Sequence, residues 1–91
     1  LYLHLGQSII IPTRDILGIF DLDNASYSHI TRNFLRDAEE RGQVFTISEE
    51  LPKSFVLCED GKGNHLVYIS QLSSSTLLRR CESGIFETSE L

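Results

Sequence analysis

The chain has 91 residues, 41% of them hydrophobic and 23% charged, with a formal net charge of −5. That is the length of one domain with a single modest core, and the composition of a folded rather than a disordered segment. No apolar run approaches the ~20 residues that span a bilayer, and no basic segment precedes an apolar one as in a secretion signal, so the expectation is a cytoplasmic protein with no membrane role. Residues 82–91 carry Glu82, Glu87 and Glu90 without a base, which leaves residues 1–81 with a net of −2. A body this close to neutral lacks general attraction for a polyanion, so nucleic-acid binding would need a local basic patch repeated by oligomerisation. Cys58 and Cys81 form no CxxC or Cys/His pattern and read as a small core residue and a surface thiol.

Along the chain, residues 2–5 and 7–11 read as a hairpin about Gly6. Pro12 has no N–H for a ladder and closes the Ile9–Ile11 run. Thr13 and Asp15 can fold a turn through their side-chain oxygens, which leaves Arg14 lifted at a corner. Ile16–Leu22 is a third strand. The uninterrupted apolar character of these segments predicts burial on both faces, by a helix on one side and a neighbouring subunit on the other.

Asp21-Leu-Asp-Asn24 ends that strand, and Asn24 or Ser26 is placed to cap a helix over about residues 25–41. Tyr27, Ile30, Phe34, Leu35 and Ala38 fall on one stripe of it, and Gly42 is placed to end it. His29, Arg32 and Arg36 lie on its outer surface, with Arg36 at ion-pair spacing from Glu40. Gln43–Ser48 alternates as a strand, and residues 49–53 form a loop. Residues 54–59 and 65–70 make a second hairpin across Asp60-Gly-Lys-Gly-Asn64, whose glycines suit positive φ. Ser73 caps a short last helix through Leu77, Leu78, Arg79 and Arg80, and the acidic stretch from Glu82 reads as a flexible tail to which Ile85 and Phe86 could give a docking point. The fold class is therefore α+β. Residues 1–81 form one domain with a small twisted, mainly antiparallel sheet of about five strands, one main helix and a short C-terminal helix. So little of such a sheet can be covered that oligomer formation is expected.

Catalytic chemistry finds no support. His4, His29 and His65 are far apart in sequence, Ser73-Ser74-Ser75 has no GxSxG elbow, and there is no HExxH. Asp21 and Asp23 share a strand face but sit beside a helix cap, and the Gly61–Gly63 turn is not followed by a helix bearing Lys-Ser/Thr, so it is no phosphate loop. The expectation is a protein that is not an enzyme, with no catalytic residue, metal or cofactor. Only the bases remain: Arg14 at its corner, Arg32 and Arg36 on one helix face, and Lys53 in its loop are the candidate nucleic-acid contacts. Arg41, Arg79 and Arg80, near helix C-termini, complement the helix dipole instead. Repetition of Arg14 around an oligomer would turn one weak phosphate contact into useful affinity.

Five segments in order, Tyr2-Leu-His-Leu-Gly6, Pro12-Thr-Arg-Asp15 leading into Ile16–Phe20, Asp37-Ala-Glu-Glu-Arg-Gly42, Lys53-Ser-Phe-Val56 and Val67-Tyr-Ile-Ser70, resemble the RemA/RemB family of small bacterial extracellular-matrix regulators. The resemblance covers residues 2 to about 80 and is closer to the RemB branch. It implies a cytoplasmic protein that assembles into rings and, for the RemA branch, a DNA-binding activator of biofilm-matrix genes. In that branch, arginines after the second strand and in the loop before the later hairpin meet DNA. Arg14 occupies the first of these positions; at the second this chain has Glu50-Leu-Pro-Lys53, where only Lys53 keeps a base. The implied partners are further copies of the chain, DNA and a paralogous regulator. The alternative is an oligomeric protein–protein scaffold that binds no nucleic acid.

Overall fold

A computed structural model of the chain describes residues 1–7 and 9–90, with side chains described for all of these except 83–90. Strands β1 (Tyr2–Gly6) and β2 (Ile9–Pro12) pair antiparallel as an independent two-stranded ribbon. A 3-10 turn over Thr13–Asp15 leads into β3 (Ile16–Asp21), followed by the single-turn helix α1 (Leu22–Ala25) and the main helix α2 (His29–Glu40). Then come β4 (Val44–Thr46), β5 (Ser54–Glu59), β6 (His65–Ser70) and helix α3 (Ser74–Glu90). The larger sheet has the order β3-β5-β6-β4; its β3–β5 and β5–β6 pairs are antiparallel and its β4–β6 pair is parallel.

Alternation along β5 divides the core in two, because successive side chains leave a strand on opposite faces. Val56 and Cys58 pack with Leu3, Leu5 and Ile11 of the ribbon and with Leu77 of α3. Phe55, on the other face, packs with Val67 of β6 and Ala38 of α2, joined by Leu22, Leu35, Leu57 and Ile69. The four-stranded sheet is thus a middle layer, with the ribbon and α3 on one side and α1 and α2 on the other. Two buried serines tie the layers together: the Ser70 hydroxyl donates to the Leu5 carbonyl at 2.9 Å, and the Ser54 hydroxyl donates to the Leu72 carbonyl at 2.7 Å.

The fold class is α+β, but among the described residues the strands number six and form two sheets rather than one of about five. The main helix starts later than its apolar spacing suggests. Asp21 accepts from the Asp23 N–H and caps α1, the chain turns, and Ser28 accepts from the Thr31 N–H to cap α2. Of the expected buried stripe only Ala38 is fully buried, while Tyr27 and Ile30 lie open to solvent. The last helix runs on to Glu90 instead of ending near Arg80. The expectation that Ile85 or Phe86 docks concerns side chains outside the described residues.

Candidate nucleic-acid interface

The Arg14 corner is built by backbone constraints. Pro12 pairs with Tyr2 at the end of the ribbon, and the Thr13 N–H and hydroxyl both donate to the Leu1 carbonyl, at 3.0 and 3.3 Å. Thr13 therefore spends its hydroxyl on the neighbouring strand rather than on the turn itself. Arg14 is left projecting, its side chain 89% exposed, with the Asp15 carboxylate 3.9 Å from its Nε. An exposed pair at that distance is screened and weak, so most of the guanidinium's capacity to meet another anion is retained.

Lys53 is held by its main chain: its N–H donates to the Ser70 carbonyl at 2.9 Å and its carbonyl accepts from the Leu22 N–H at 3.0 Å. Its side chain opens onto a cleft of about 280 Å³ that Asp21 and Asp23 also line, and two carboxylates there lower the potential a phosphate would meet. The exposed Glu49 and Glu50 precede it in the same loop.

Arg32 donates to the Ser26 and Tyr27 carbonyls, at 2.7 and 3.2 Å, and so closes the turn between α1 and α2. Arg36 bonds the Asn33 side-chain oxygen, not Glu40, and Asn33 in turn contacts the His29 ring at 3.3 Å. Both arginines are exposed, yet each has a local structural partner.

One copy does not gather these four cations. Arg14 precedes the start of β3, whereas Lys53 precedes Ser54, the partner of Asp21 at the end of β3. A six-residue strand separates them by roughly 17–20 Å. Arg32 and Arg36 ride on α2, across the sheet from the ribbon that supports the Arg14 corner. Arg80 also approaches the ribbon, its Nη1 donating to the His4 carbonyl at 3.4 Å; no local spacing signals a contact spanning 76 residues.

The cysteines and Asp60 are shifted in pKa by burial and by turn hydrogen bonds. Burial, with the Asp15 carboxylate second, pushes the Cys58 thiol up to about 11; burial and then Glu82 raise Cys81, so neither is an activated thiolate. Asp60 is lowered chiefly by the Asn64 side-chain hydrogen bond and then by the Lys62 N–H, which marks it as the clasp of the β5–β6 turn. Among the described residues no group of three or more His, Cys, Asp or Glu is placed to hold a metal ion, and no helix is long and apolar enough to cross a membrane.

No family model matches the chain. Over 82 residues, 90% of its length, it is 38% identical to extracellular matrix regulatory protein B of Bacillus subtilis (strain 168), of which the match covers 91%. The chain belongs to the RemB family. The match spans nearly all of both proteins, so RemB similarity covers the ribbon and the larger sheet together.

Proposed function

We propose that this chain is a non-enzymatic cytoplasmic regulator of the RemB type, working as a ring-shaped homo-oligomer that regulates transcription of extracellular-matrix (biofilm) genes. In this reading it touches DNA weakly through Arg14, with Lys53, Arg32 and Arg36 as flanking cations. The regulatory role is carried over from the name of the Bacillus subtilis relative. The DNA contact rests on one observation: Arg14 stands on a braced corner with an almost fully exposed guanidinium, and its acidic neighbour Asp15 is held only weakly at 3.9 Å. Such a contact reads phosphates rather than bases, so it gives affinity by repetition and little sequence specificity.

A second reading is a homo-oligomeric scaffold, alone or mixed with a paralogous regulator, without direct DNA contact. The partnering of Arg32 and Arg36 within their own helix region favours it, as does the acidic cleft around Lys53. Binding to a matrix-gene promoter fragment and to a scrambled duplex at low salt separates the two. Comparable binding to both that weakens steeply with added salt supports the DNA reading; no binding at low salt leaves the scaffold.

A further inference from the structure

The end of α2 meets the β5–β6 turn across a cavity of about 330 Å³, a size that suits a small ligand. Phe34, Asp37 and Ala38 on α2 and Arg41 at its C-cap reach it together, because residues three, four and seven apart share one side of a helix. Gln43 and the Gly63–His65 end of the turn complete the lining. Both segments are braced by their own backbones. The Arg41, Gly42 and Gln43 N–H groups donate to the Asp37, Glu39 and Ala38 carbonyls at 3.1, 3.0 and 2.9 Å, and the Val67 N–H donates to the Gln43 carbonyl at 2.9 Å. On the turn, the Asp60 carboxylate accepts from the Asn64 N–H and side-chain amide at 3.2 and 3.0 Å.

Asp37 precedes Arg41 by four residues, the order and spacing of an ion pair on a helix surface. The two do not pair: among the described residues neither side chain has an ion-pair partner, and both line the cavity. A bare anion drawn to Arg41 would also meet the Asp37 carboxylate, and a bare cation drawn to Asp37 would meet the guanidinium. A ligand that carries both charges satisfies both groups. Cβ atoms four residues apart on a helix lie about 5–6 Å from each other, so the ligand's charges must be close together, as they are in an α-amino acid. Phe34 and the buried Ala38 give the lining an apolar part beside this charged one.

We propose that this cavity binds a free α-amino acid with an apolar side chain, its ammonium on Asp37, its carboxylate on Arg41 and its side chain against Phe34 and Ala38. The binding goes beyond regulation of matrix genes and does not rest on it. Arg14 stands at the end of the ribbon, which packs on the opposite face of the larger sheet from α2, so filling the cavity and touching DNA are separable events.

The test is saturation-transfer NMR on the full chain with L-leucine as the probe. The wild type should give a saturable leucine signal, half-saturated at roughly millimolar concentration. L-leucinamide, which lacks the carboxylate, and N-acetyl-L-leucine, which lacks the ammonium, should each bind about tenfold more weakly or worse. Arg41→Gln should weaken leucine by about tenfold and leave leucinamide no weaker, and Asp37→Asn should weaken leucine by about as much and leave N-acetyl-leucine no weaker. Such a crossed pattern does not arise from general damage to the fold. Both substituted residues are exposed, and circular dichroism checks folding. The analogues are compared on the wild type, so they decide even where a variant fails to fold. Absence of a saturable leucine signal would overturn the proposal. So would equal binding of either analogue by the wild type, which marks a site for a single charge, or undiminished leucine affinity in either folded variant, which places the ligand elsewhere.

Discussion

Ser70 and Leu5 lie 65 residues apart in sequence, and a 2.9 Å hydrogen bond from the buried Ser70 hydroxyl to the Leu5 carbonyl fastens the ribbon to the larger sheet. The same oxygen accepts from the Leu72 N–H at 3.0 Å, so one side chain satisfies a donor and an acceptor that water cannot reach freely. Ser70→Ala leaves both groups without that partner. A loss of about 1–3 kcal/mol is expected. Urea unfolding should show it as a lower midpoint with an unchanged slope.

Gly6 supplies the second fastening. Its φ of +109° lies where side chains are strained, and an added Cβ would come within 2.9 Å of the Gln71 amide nitrogen. The amide can swing aside, but the backbone cannot relax without moving the end of β1. Gly6→Ala should destabilise by about 1–3 kcal/mol through strain. Thermal unfolding of the variant should move down, whereas Gly63→Ala, with open space around its Cβ position, should suffer from its φ alone.

The Cys58 thiol predicts behaviour in alkali. It is held at about 11 in the fold against an ordinary 9.0, so between these values the unfolded chain has lost a proton that the folded chain keeps. The unfolded state then binds fewer protons, and stability falls as pH rises through that window; it is fully present below about 9. Tyr68 is raised as well, by burial first, and adds to the same trend. Stability measured from pH 8 to 11 should therefore decline, and Cys58→Ala should decline less steeply over the same range. Native Cys58 should also react slowly with an aromatic disulfide reagent until the protein unfolds.

Much of the fold is legible from local pattern. The β5–β6 hairpin falls where alternation and the Asp60–Asn64 turn place it, because both strands and the clasp are encoded within seventeen consecutive residues. The corner at Arg14 is local in its proline and its 3-10 turn, but its Thr13 brace reaches back to Leu1 across the ribbon. The start of α2 is not, since Asp21, Asn24, Ser26 and Ser28 all have capping side chains, and the choice depends on α1 packing against the sheet. Ser28→Ala should cost about 1 kcal/mol if that cap carries the helix start as its bond to Thr31 indicates, read by denaturant midpoint. The division into two sheets is also hidden, because it depends on which face of β5 the ribbon meets. Ile30 misleads for a related reason: helical spacing shows that residues share a face, not that something in the same chain covers it; Tyr27 lies in the turn before α2 and is not on the helix at all.

The candidate site divides in the same way. Arg14 is readable because a proline and a turn former expose it by local geometry, whereas the local partners of Arg32 and Arg36 require knowing that α1 ends at Ala25 and which way Asn33 points. Arg80 escapes sequence reasoning because its neighbour is the far end of the chain.

In the proposed DNA contact a repeated Arg14 supplies the grip on phosphate. Affinity for duplex DNA should be measured across a salt series for the wild type and for Arg14→Ala, with light scattering on both to show equal assembly. The expected result is a steep fall of log affinity with log salt in the wild type, and a slope shallower by close to 0.9 for every Arg14 that touches the duplex in the variant. Equal slopes for the two proteins at equal assembly would contradict it and leave a scaffold whose exposed cations meet no polyanion.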